Sequence, residues 1–175
     1  VKRGEKMSIS DQEWKNILRF FGDSTRATSS PVIPYCALAT VNEDGSPRVA
    51  PYTSLALGDE PQALYFDELS QRTSANLERD QRVCVLIVKR SKWFWIKAAV
   101  LGKYQHPPGI RLMGRLGEKR KATQEEINAY LAPMKRLKMF KGYEPMWGVM
   151  KHVREIHFDD FETVKCGAMP EVEPI

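Results

Sequence analysis

Cysteine is scarce in this chain: Cys36, Cys84 and Cys166 are widely spaced, odd in number and form no CxxC pair. That pattern argues against a disulfide framework or a zinc ribbon and reads as reduced, buried thiols of a cytoplasmic protein. No run approaches the ~20 apolar residues of a membrane span, and no charged-then-apolar leader with a small-residue cleavage site opens the chain. There is no GxSxG elbow or Ser-His-Asp ordering to support hydrolysis. Histidines are few. His106 precedes Pro107-Pro108 in a predicted turn, and His152 and His157 stand five apart on a predicted strand, where two-residue alternation sends them to opposite faces. No metal site is expected from them. No internal repeat or low-complexity tract is evident.

What remains is an ordinary globular composition, with 42% hydrophobic, 10% aromatic and 28% charged residues. A length of 175 residues fits one domain, expected over residues 8–170 with flexible ends at 1–7 and 171–175. A net charge of +5 and a pI near 9.1 favour anionic partners, but cofactor phosphates, nucleic acid and acidic lipid all qualify.

Ser10 or Asp11 can cap a first helix to about Phe21, with Trp14, Ile17, Leu18 and Phe21 at helical spacing and Gly22 ending it. A strand from Tyr35 to Val41 meets the turn cluster Asn42-Glu43-Asp44-Gly45-Ser46-Pro47, a hairpin signal. The return strand, Arg48 to Leu57, alternates two faces, one of them polar. A third strand runs from Ala63 to Phe66, and a short helix from Ser70 to about Arg79. Arg82 to Lys89 is a continuous apolar run, predicted to be buried on both sides. Lys92 to Gln105 reads as helix and Ile110 to Gly117 as strand. Thr123 with Glu126 forms a capping box opening a helix to about Phe140, and a last pair of strands covers Lys151 to Phe158 and Glu162 to Lys165. Six or seven strands without regular strand-helix-strand alternation predict a mainly β, antiparallel barrel with helices at its rim.

The informative segment is Leu64 to Leu77. With Ser70 as N-cap, Arg72 and Thr73 fall in the first helical turn, where the macrodipole makes a cation unfavourable unless an anion binds there. Free N–H groups at a helix start, one guanidinium and several hydroxyls form a competent phosphate cradle. The order of hairpin, polar-faced strand Arg48 to Ser54, aromatic strand Leu64-Tyr65-Phe66, helix start Gln71 to Leu77 and apolar strand Val83 to Val88 resembles the FMN-binding split barrel of pyridoxamine-phosphate-oxidase-like proteins. The resemblance covers residues 35–88 well and the later strand and helix more loosely. It implies a homodimeric flavoprotein in which the strand Pro51, Tyr52, Thr53 and Ser54 lies against the flavin ring. It also implies that Arg72 and Thr73 hold the 5′-phosphate, that Asn76 is a polar neighbour, and that Trp147 reaches the partner's flavin. Two departures stand out. Gln71-Arg72-Thr73 replaces the Ser-Arg-Lys of the true oxidases, and the C-terminal Arg-Leu-His-type signature for vitamin B6 is lacking.

Other features have plainer readings. The cluster Lys92-Trp93-Phe94-Trp95-Ile96-Lys97 through Tyr104 is expected to be internal to the dimer or to line the pocket, with contact to an acidic membrane surface as the lesser alternative. Lys135, Arg136, Lys138 and Lys141 read as a solvated helix face, with no nucleic-acid partner expected. Glu155, Asp159, Asp160 and Glu162 read as a solvated turn. The expectation is therefore an FMN-dependent oxidoreductase acting on an unknown small molecule, with no catalytic acid or base identifiable. Its rivals are a deazaflavin or haem site in the same fold, or a non-enzymatic flavin-binding or basic surface-binding protein.

Overall fold

The computed structural model describes residues 8–22, 32–33, 36–52, 55–68, 70–89 and 91–167. Expectations for the two ends, and for Thr53 and Ser54, lie outside the described residues. Helix α1 (Asp11–Gly22) starts where Ser10 Oγ accepts from Glu13 N and the Glu13 carboxylate accepts from Ser10 N, a reciprocal cap. Its Trp14 and Ile17 are buried, and Trp14 Nε1 donates to the Gly58 carbonyl at 3.1 Å, fixing the helix to the sheet.

The described strands are β1 (Val32–Ile33), β2 (Cys36–Val41), β3 (Pro47–Tyr52), β4 (Leu55–Leu57), β5 (Gln62–Phe66), β6 (Arg82–Val88), β7 (Gly109–Lys121) and β8 (His152–Thr163). They form one antiparallel sheet in the order β1-β4-β5-β8-β7-β6-β2-β3. In a flat sheet, β4 and β3 would lie about 29 Å apart, six spacings of roughly 4.8 Å. Yet Tyr52 and Leu55 are three residues apart in sequence and can be separated by no more than about 10 Å. The sheet must curl until β3 and β4 approach one another, and the protein is an antiparallel split β-barrel with peripheral helices.

The stretch 47–57 therefore serves both ends of the sheet. Its first half pairs with β2 (Cys36↔Tyr52, Val41↔Pro47) across a turn where Gly45 takes φ +81, and its second half pairs with β5. Ala50 and Tyr52 point inward in the first half, Leu55 and Leu57 in the second. The inward parity differs between them, so the single alternating strand expected over Arg48 to Leu57 is described as two strand segments, β3 and β4, that pair with opposite ends of the sheet.

Helix α2 (Gln71–Arg79) follows the expected bounds. Strand β6 differs from expectation: Val83, Val85 and Ile87 are buried while Cys84 and Leu86 are only half-buried, because among the described residues one of its faces is not covered by a second layer. Helix α3 (Lys92–Leu101) ends at Gly102, short of Gln105. Strand β7 runs to Lys121, four residues past Gly117. Helix α4 (Gln124–Leu131) has the predicted capping box but stops where Pro133 enters, and continues as a 3-10 segment, Ala132–Leu137. The two predicted C-terminal strands are the single strand β8, with Asp159 as an extra residue opposite the Met113–Gly114 step. The acidic residues there lie along a bulged strand and not in a turn.

Barrel core and rim separate cleanly. Trp14, Ile17, Leu38, Leu55, Tyr65, Leu77, Val85, Leu112 and Ile156 fill the interior, while Phe66, Tyr130, Met150 and Val153 form a smaller cluster under α4. All three cysteines are free; Cys36 is buried, and burial pushes its thiol up to about 12. At the β7–β8 bulge a Cβ on Gly114 would lie 2.2 Å from the His157 carbonyl oxygen. Gly114→Ala is expected to destabilise by roughly 1–3 kcal/mol as the strands part to admit the methyl. An unchanged melting curve would contradict this.

Candidate functional site

Strand β5 delivers the chain to the start of α2 through Asp67 and Glu68. Ser70 caps the helix: its Oγ accepts from Thr73 N at 3.4 Å and donates to Thr73 Oγ1 at 2.7 Å. The first turn carries no acid and presents Arg72 to solvent, while Thr73 is fully buried. A cation there opposes the helix dipole, and only a bound anion reverses the sign.

The rest of α2 is tied down. Asn76 Nδ2 donates to Thr40 Oγ1 (3.2 Å) and Asn42 Oδ1 (2.9 Å), and Arg79 Nη2 donates to the Val41 carbonyl at 2.7 Å, so the helix is locked to the β2–β3 hairpin. Ser74 Oγ donates to Asp67 Oδ2 at 2.8 Å. The same carboxylate oxygen receives Arg154 Nε at 2.8 Å and lies 3.3 Å from Lys119 Nζ; Arg154 Nη2 continues to Glu78 Oε1 at 2.8 Å. Asp67 and Arg154 are both buried. Glu68 accepts from the His152 N–H at 2.6 Å and faces His152 Nδ1 at 2.9 Å.

Beneath this network, Tyr52 and Tyr65 meet edge to face at 5.3 Å inside the barrel. Among the described residues neither phenolic oxygen, nor Asp67 Oδ1, has a hydrogen-bond partner of good geometry. Burial pushes the Tyr52 phenol up to about 12, helped by the Asp67 charge and opposed by the Thr73 and Ser70 hydroxyls. Tyr65 is raised by burial first, then by Asp67.

Of the residues singled out from sequence, Arg72, Thr73 and Asn76 share α2, with only Arg72 open to solvent. The Tyr52 side chain points into the barrel, whereas Pro51 is exposed on β3, which among the described residues pairs with β2 alone and so has one backbone edge without a described partner. Trp147 is half-buried against the cluster under α4, 5.6 Å from Tyr143, and is not brought to α2 by this chain. Sequence reasoning missed Asp67, Glu68, Lys119, His152 and Arg154. The available signal was Arg154 itself, which shares the inward parity of Ile156 and Phe158 and so needs a buried counter-charge. Among the described residues no group of three or more His, Cys, Asp or Glu side chains could hold a metal ion.

The family profile described as pyridoxamine 5′-phosphate oxidase matches residues 31–165. The chain belongs to the pyridoxamine 5′-phosphate oxidase family. Solved structures of similar fold include HupZ of Group A Streptococcus, at 20% identity over 86% of this chain and 96% of that one, with a TM-score of 0.52. A conserved hypothetical protein of Mycobacterium tuberculosis gives 14% identity, 96% and 99% coverage and a TM-score of 0.52. A Clostridium acetobutylicum protein related to general stress protein 26, of the pyridoxinephosphate oxidase family, gives 12% identity, 90% and 91% coverage and a TM-score of 0.51. A search of curated proteins gives no match. Family membership explains why the hairpin, aromatic strand and capped helix occur in this order; identities this low carry the fold alone.

Proposed function

We propose that this member of the family binds FMN at the start of α2 and serves as a flavin-dependent oxidoreductase for a small molecule. The carrying observation is Arg72, exposed in the acid-free first turn of a Ser70-capped helix. That arrangement fits a phosphomonoester. In this reading Arg72 binds the phosphate, Thr73 and Asn76 hold the cradle's shape, and the β3 edge with Pro51 and Tyr52 offers backbone groups to the ring, joined by Thr53 and Ser54, which follow it in sequence. Trp147 would approach the site from a second subunit. Bound FMN supplies hydride and electron transfer, and the chain supplies charge and orientation. Three free thiols support a reducing, cytoplasmic setting. Among the described residues no helix is long and apolar enough to cross a membrane.

The absorbance spectrum of the purified protein, before and after adding FMN, tests the reading. Flavin bands that stay with the protein through gel filtration are expected. A Soret band would assign haem, and failure to retain FMN would reject the proposal. The β3 edge without a described partner and exposed Val49 support a homodimer. Light scattering should give twice the chain mass of 20.1 kDa, and a monomer mass with flavin bound would overturn the dimer.

A further inference from the structure

Helix α3 is apolar on both sides. Its inner side is used: Ala98 is buried, Phe94 stacks on Tyr104 at 5.8 Å, and Trp95 Nε1 donates to the Lys89 carbonyl at 3.0 Å. Its outer side bears Trp93, Ile96 and Val100, which are 77%, 50% and 79% exposed. These recur three and four residues apart, so they form one stripe along the helix. Helices apolar all round are normally covered.

Charge selects the cover. From Gln81 to Gly117 the sequence has no Asp or Glu and eight basic residues: Arg82, Lys89, Arg90, Lys92, Lys97, Lys103, Arg111 and Arg115. Lys92, Lys97 and Lys103 are exposed around the stripe. A second copy meeting this face with its two-fold axis through α3 would bring these lysines against their own counterparts, with no acid in the segment to offset them. A lipid surface with anionic headgroups meets both features at once, with lysines at the headgroups, Trp93 at the interfacial level, and Ile96 and Val100 toward the acyl chains.

We propose that α3 seats the protein on an anionic membrane surface. The proposal does not depend on which cofactor binds at the start of α2.

Flotation of the full chain with vesicles of phosphatidylcholine containing about one-third phosphatidylserine, against phosphatidylcholine alone, tests it. The expected result is binding to the anionic vesicles only, reduced by raised salt. It should fall about tenfold or more in Trp93→Ala/Val100→Ala and in Lys92→Glu/Lys97→Glu/Lys103→Glu, with light-scattering mass unchanged in both. Quenching of wild-type tryptophan fluorescence by brominated lipid gives the same answer should a variant misfold. Any of four results would overturn the proposal: absence of binding, equal binding to neutral vesicles, equal binding to heparin, or loss of dimer mass in the Trp93→Ala/Val100→Ala variant. The last would mean that a second copy covers α3.

Discussion

Arg72→Ala is expected to weaken FMN binding about ten- to a hundredfold while leaving riboflavin binding nearly intact. A charge-assisted hydrogen bond to a phosphate contributes about 1.5–3 kcal/mol, which converts to that range of affinity. Riboflavin has the same ring and no phosphate, so it reports on everything except the contact in question. Arg72 is exposed, and the residues that hold α2 in place (Ser70, Ser74, Asn76 and Arg79) are left untouched by the substitution. The helix should therefore survive. Fluorescence titration of both ligands into apo protein, wild type and variant, makes the comparison. Equal losses for the two ligands, or none for FMN, would return Arg72 to the solvated surface and remove the phosphate from the start of α2.

Arg154→Met should be the most destabilising single change at this end of the barrel, at about 3 kcal/mol, the lower part of the range for breaking a buried ion pair. The reason is the carboxylate left behind. Asp67 is 4% exposed and would keep, among the described residues, Lys119 at 3.3 Å and the Ser74 hydroxyl, while Glu78, exposed to solvent, can turn to water. For a chain of this size that loss lowers the melting temperature by roughly 6–12 °C. Removing the charge as well, in Asp67→Asn/Arg154→Met, should recover part of it, since the cost lies in the unpaired partner more than in the missing bond. Additive losses in the double variant would show that the two residues are not coupled. A single variant within about 0.5 kcal/mol of wild type would show that the pair contributes little.

The elements that were legible in sequence are those whose signals are local. The Asp-Gly turn, the Ser70 and Thr123 caps and the apolar spacing of α1 each declare themselves within a few residues, and the structure has them where expected. Errors fall where a distant strand decides. Nothing near residue 53 says that 47–52 pairs with β2 and 55–57 with β5. Likewise Asp159-Asp160 has the composition of a turn, and only pairing with β7 draws it into a bulged strand. Pro133 was a local signal that α4 would be short. At the site, Arg72 and its capped turn could be read from spacing, but the Asp67–Arg154 pair joins residues 87 apart and could only have been suspected from the parity of Arg154.

The position of β8 governs the order in which the molecule can be built. This last strand lies between β5 and β7, pairing Gln62 with His157 on one side and Ile110 with Thr163 on the other. On a ribosome, residues 32–121 can emerge with hairpins and α2 formed, but β5 and β7 then each carry an open edge. Closure of long-range pairs of this kind is slow, because the intervening chain loses its freedom before the contact rewards it. The nascent chain therefore holds two adhesive edges until residues 152–163 arrive, and the interval before their arrival is when neighbouring copies can pair wrongly.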